Sequence, residues 1–104
     1  MSAALIWSPF ESEAAAAEVA GQLLDEGLIA CANLLPGVRS LYVWQGERGE
    51  ARECGALFKT EGSLLDRAVA RLAALHPYET SAVVGWHADA AGPATAAWLG
   101  ALAR

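Results

Sequence analysis

The run Leu28-Ile29-Ala30-Cys31-Ala32-Asn33-Leu34-Leu35-Pro36-Gly37-Val38-Arg39-Ser40-Leu41-Tyr42-Val43-Trp44 decides how this chain folds. Apolar, β-branched and aromatic residues persist through it, and Pro36-Gly37 in its middle forbids an uninterrupted helix. It reads as one long strand bent at Pro36-Gly37. A proline removes a ladder donor and a glycine accepts positive φ, which is what a bulge or corner needs. The half before the bend predicts a central strand. The half after it sets Leu41, Tyr42, Val43 and Trp44 on alternating faces, too apolar for a wet edge, and asks for a partner, another copy of the chain.

Upstream, Ala3-Ala4-Leu5-Ile6-Trp7 is short and apolar, predicting a first strand buried on both faces and stopped by Ser8-Pro9. Ser12 then stands as an N-cap. Ala16, Val19, Ala20, Leu23 and Leu24 follow at helical spacing until Gly27 closes the segment. Downstream, Gln45-Gly46-Glu47-Arg48-Gly49-Glu50 mixes glycine with charge as an exposed hairpin turn does, and the return strand covers Ala51 to Thr60, with Gly55 at its centre. Ser63 to Leu75 places Leu65, Ala68, Val69, Leu72 and Leu75 on one helical face, and Pro77 ends that helix. Ser81 to His87 predicts a fourth strand. Pro93 starts a short last helix with Ala97, Trp98, Ala101 and Leu102 on its inner side. The order β-α-β-β-α-β plus a terminal helix defines an α+β, ferredoxin-like sandwich with an extended β-hairpin, in one domain over residues 1–104.

Composition narrows the function classes. A net charge of −5 with only seven Lys plus Arg offers no field for a phosphate backbone, so nucleic acid is not expected as a partner. The apolar start is far shorter than a membrane span and lacks a basic n-region, which predicts a cytoplasmic protein with no membrane partner. In a reducing compartment Cys31 and Cys54 are both expected as free thiols.

Four motifs then carry a resemblance. Ala30-Cys31-Ala32-Asn33-Leu34-Leu35-Pro36-Gly37-Val38-Arg39-Ser40-Leu41-Tyr42, Trp44-Gln45-Gly46, Lys59-Thr60 and Leu75-His76-Pro77-Tyr78-Glu79-Thr80 together resemble the CutA family of divalent-ion tolerance proteins, and Trp98-Leu99 matches its last helix. The resemblance implies a small cytoplasmic homotrimer joined through its long hairpin strands. It also implies a link to copper and other divalent cations, a shape similar to the PII signalling proteins, and no established catalytic activity. Two residues depart from members credited with a copper site. Ser8 stands where those have a cysteine, and Leu75 where they have a second histidine.

Each candidate residue carries an ordinary reading beside a functional one. Cys31 is a core residue of an apolar strand or a metal-ligating thiol, with a nucleophile behind both. His76 is a cap at a helix C-terminus or a metal ligand. Tyr78 is a core ring with its hydroxyl at the rim or the wall of an intersubunit pocket. Lys59 is solvated, is paired with Glu61 or Glu79, or hooks an anion in a cleft. Trp44 packs at an interface or stacks on a ligand. His87 reads as a solvent-facing loop residue.

Three functions follow. The first is a non-enzymatic trimeric protein of metal homeostasis that binds copper(II) or another divalent cation weakly, His76 as main ligand and Cys31 as secondary one. The second is a PII-like sensor or scaffold whose intersubunit clefts hold a small anion through Lys59, Tyr78 and Trp44. An enzyme built on Cys31 and His76 ranks last, because no acidic orienter or oxyanion donor accompanies the pair.

Overall fold

The computed structural model describes residues 2–103. Its elements are β1 (Ala3–Phe10), α1 (Glu13–Asp25), β2 (Cys31–Trp44), β3 (Glu47–Glu61), a single 3-10 turn (Gly62–Leu64), α2 (Leu65–Leu75), β4 (Val84–His87) and α3 (Pro93–Ala101). The four strands form one antiparallel sheet in the order β2-β3-β1-β4. β3 is thereby inserted between β1 and β2, the two strands that α1 connects, which is the split βαβ arrangement.

Register sorts the side chains. Ala4, Ile6, Ser8 and Phe10 lie opposite Thr60, Phe58, Ala56 and Cys54, and all eight are buried on the face that α1 and α2 cover. Ile6, Phe10, Leu23, Ile29, Phe58 and Leu72 are the largest fully buried side chains. Each contributes roughly 1.5–3 kcal/mol by leaving water. Ser8 and Thr60 enter this core because each hydroxyl has an acceptor: Ser8 Oγ donates to the Ala82 carbonyl at 2.7 Å and Thr60 Oγ1 to the Leu28 carbonyl at 2.7 Å. The opposite face, with Leu5, Trp7, Leu57 and Trp86, carries neither α1 nor α2. α3 contacts β1 and β3.

Local chemistry explains the boundaries. Ser12 caps α1 by accepting from the Ala15 amide at 3.1 Å, and Gly27, at φ 70°, lets the chain leave the helix. Pro36-Gly37 is a bulge, since the β2–β3 register shifts between Leu35 and Val38. The hairpin is longer than expected. Gln45-Gly46 alone makes the turn, both residues at positive φ (51° and 80°), and the charged residues after it already belong to β3. The 14 residues of β2 rise about 45 Å at strand geometry, matching the molecule's 43 Å long axis.

Several expectations are corrected. β2 is an edge strand of the chain's sheet, because β3 takes the central place. β1 runs through Ser8-Pro9 to Phe10, since an imino nitrogen is tolerated where Pro9 faces Gly55 and β4 has already ended opposite Trp7. β4 begins at Val84 rather than at Ser81. In α3 the buried residues are Leu99 and Gly100, while Trp98 is half exposed, because the short helix touches the sheet along a narrow line that periodicity cannot orient. Gly55 does not weaken β3. A side chain there would collide with the Trp7 ring that lies over it.

Candidate functional site

Beyond the bulge the hairpin changes which of its residues face which side. Cys31, Asn33 and Leu35 share the helix-free face before it, and Val38, Ser40, Tyr42 and Trp44 share it afterwards, opposite Glu53, Ala51, Gly49 and Glu47 of β3. The Tyr42 ring lies across Gly49, a packing that any side chain at Gly49 would block. Alongside runs the segment after α2, where His76-Pro77-Tyr78 turns the chain out of the helix.

His76 fixes that turn. Its ring is buried, stacks on Phe10 with centroids 4.1 Å apart, and has both nitrogens bonded within the chain. Nε2–H donates to the Pro9 carbonyl at 2.9 Å, and Nδ1 accepts the Tyr78 amide at 3.2 Å. Tyr78 is thereby held over the hairpin, where its hydroxyl donates to Glu53 Oε2 at 2.7 Å. Burial, and then the Glu53 carboxylate, push the Tyr78 hydroxyl well above the ordinary phenol range, so it stays a donor. Hairpin and turn enclose an open groove of about 780 Å³, whose lining includes Tyr42, Trp44, Tyr78, Glu53, Glu79 and Ser40.

The residues singled out in the sequence fall at two places. Trp44 and Tyr78 line this groove. Lys59 and Cys31 do not; they face each other across β2 and β3, beside Leu5 and Trp86. From the Pro9–Gly55 pair to the Leu5–Lys59 pair is four residues of strand, about 13 Å. The expected corner uniting His76, Lys59 and a cleft is therefore not formed within the chain. Cys31 is half-buried at the start of its strand rather than at the centre of the core, with its thiol 3.8 Å from Asn33 Oδ1. The fully enclosed cysteine is Cys54, whose thiol burial pushes up in pKa. Ser8 is buried against Ala82, and Leu75 is the last residue of α2. Among the described residues no three His, Cys, Asp or Glu side chains gather as a metal would require.

Tyr42, Glu53 and Glu79 are groove residues that the sequence did not single out for this site. Two of them had a signal: once the bulge reverses the alternation, Tyr42 must share a face with Trp44, and Glu53 lies opposite Val38 on it. The position of Glu79 depends on the His76 turn and has no local signal.

Fold and groove together define a small α+β protein whose hairpin outruns its helices and builds a ligand-sized cleft against the turn after α2. The chain belongs to the CutA1 divalent ion tolerance protein family, whose model matches residues 4–101. It is 35% identical over 95 residues to the divalent-cation tolerance protein CutA of Pyrococcus horikoshii, covering 91% of this chain and 92% of that protein. To the protein CutA of Mus musculus it is 31% identical over 99 residues, 95% of this chain, and it spans only 55% of the mouse protein's length. The crystal structure of CutA from Xylella fastidiosa superposes with a TM-score of 0.91 at 30% identity, covering 98% of each chain.

Proposed function

We propose that this chain serves divalent-cation tolerance as a non-enzymatic cytoplasmic homotrimer that meets copper(II), or a related ion, weakly and at single side chains. The observation that carries this reading is the placement of the donors. His76 would have to break its bond to the Pro9 carbonyl or to the Tyr78 amide before either nitrogen offered a lone pair. Cys31 is half-exposed and has only a long contact to Asn33, so it ranks ahead of His76 as the first contact for a soft ion. A tight site uses three or four ligands held by neighbours, and one thiol with water falls short of that. Two unpaired cysteines suit a reducing cytoplasm.

Calorimetry with copper(II) on the natural protein, Cys31→Ser and His76→Ala tests this. Weak binding that Cys31→Ser reduces and His76→Ala retains is the expected result. Tight stoichiometric binding that depends on His76 would overturn it.

A PII-like sensor is the second reading, favoured by the groove beside Trp44 and Tyr78. Within one chain the groove's lining holds no basic residue, so the small anion expected between subunits would draw a cation such as Lys59 from a neighbouring copy.

A further inference from the structure

The helical layer carries a basic pocket that neither the metal nor the hairpin reading uses. α1 ends at its cap, Glu26, and α2 passes beside it with Arg67 and Arg71 one turn apart on a single face. Glu26 and Arg71 lock together: Nε and Nη2 of the guanidinium donate to Oε1 and Oε2 at 2.8 and 2.9 Å. Gln22 Nε2 donates to the same Oε2 at 3.1 Å, so the carboxylate is held from two sides and fixes Arg71 in place. A guanidinium has five N–H donors, and Glu26 takes two of those on Arg71. The others, and all those of Arg67, have no carboxylate acceptor among the described residues. Together with Leu28, Ala70 and Ala74, the three charged residues line an open pocket of about 480 Å³. Two positive charges meet one negative charge there, in a chain whose net charge is −5. Like charges at i and i+4 repel, and Glu26 offsets only one of the pair. None of the lining residues belongs to a strand, so the pocket does not draw on the hairpin or on the sheet edges through which copies join.

We infer that this pocket binds a small monocarboxylate with an apolar body, its carboxylate shared between Arg67 and Arg71 and its body laid on Leu28, Ala70 and Ala74. Leu28 is buried and the two alanines stop at Cβ, which leaves an apolar floor beside fixed donors. The fork of a guanidinium matches the two oxygens of a carboxylate, and one already immobilised by Glu26 loses little freedom in taking a second. The volume lies within the range of small-molecule sites. Charge selects a monoanion. One carboxylate cancels the single excess positive charge, whereas a phosphate dianion would be repelled by Glu26 and would leave the apolar floor uncovered. A metal ion or an organic cation meets two guanidinium groups and is repelled.

The test is amide NMR of the assembled protein titrated with hexanoate, with the neutral alcohol hexanol, with acetate and with inorganic phosphate, on the natural chain, Arg67→Gln and Ala74→Glu. Both substituted side chains are exposed, so both variants keep the fold. Hexanoate is expected to shift the amides of Leu28, Ala70 and Ala74 in a saturable way, about tenfold more tightly than hexanol, acetate or phosphate. Each variant is expected to weaken hexanoate by about tenfold, Arg67→Gln by removing a donor and Ala74→Glu by adding a repelling charge. Hexanol, acetate or phosphate binding as tightly as hexanoate, unchanged binding in either variant, shifts confined to residues outside the pocket, or no saturable shift would each overturn the proposal. Neither Cys31 nor His76 lines the pocket, so the result leaves the copper reading to its own test.

Discussion

His76 is a joint between a helix end and a strand end. Its two nitrogens satisfy a carbonyl of β1 and an amide of the turn, and its ring fills the space beside Phe10. Truncation to alanine strands both backbone groups in a poorly hydrated corner and opens a cavity. His76→Ala is therefore expected to lose about 2–4 kcal/mol of stability, read as a lower midpoint in urea at unchanged slope. A variant as stable as the natural chain would contradict the joint. The sequence placed His76 at the end of α2 without disclosing what the ring would touch. A helix C-terminus is a local feature, whereas the Pro9 carbonyl is 67 residues away along the chain. Cys31 and Cys54 illustrate the same limit: Cys31 stands in an apolar run and Cys54 between Glu53 and Gly55, yet only the register reveals that the first is half-exposed and the second enclosed.

At the scale of elements, the junction of β3 with α2 hangs on Glu61. Its carboxylate accepts from the Ser63 amide at 2.8 Å and from the Ser63 hydroxyl, capping the 3-10 turn that starts the helix. These bonds, the hydroxyl's first, hold its pKa below the ordinary glutamate range. A depressed folded-state pKa contributes stability that is present above the unfolded value and is lost as pH falls through the folded one. The natural protein's melting temperature is thus expected to drop from about pH 5 downward more steeply than that of Glu61→Gln. Parallel acid limbs would remove Glu61 from the account. Elements with a strong periodic or capping signal were legible in the sequence: α1 from Ser12 to Gly27, α2 from its apolar stripe, and the bend at Pro36-Gly37. What escaped was set by tertiary pairing. The edge position of β2 depends on β3 docking against β1, and the narrow turn at Gln45-Gly46 was hidden because Glu47 to Glu50 look like a loop while pairing as a strand.

At the scale of the whole molecule, one chain leaves both sheet edges open, 14 residues of β2 at one side and four of β4 at the other. Exposed apolar surface accompanies them: Leu41 is 58% exposed, Val43 67%, Trp44 52%, Val84 59% and Trp86 43%. Such edges template further pairing, and apolar surface of this kind marks a place where another chain packs. The two edges differ, so pairing one against the other joins copies head to tail. That contact either closes into a ring or runs on as a filament. Closure removes every open edge at once, and the trimer implied by the resemblance is a ring of this kind. Light scattering is expected to give about three times the 10.8 kDa chain mass. Val43→Asp is the informative variant. The side chain is 67% exposed and alternates away from those of Tyr42 and Trp44, so a single chain tolerates the charge, whereas an interface would bury it without a partner. Dissociation toward the mass of one chain, with the circular dichroism of the natural fold kept, is the expected outcome. A monomeric natural protein, or a Val43→Asp protein of unchanged mass and melting temperature, would mean that the hairpin is not where the copies meet.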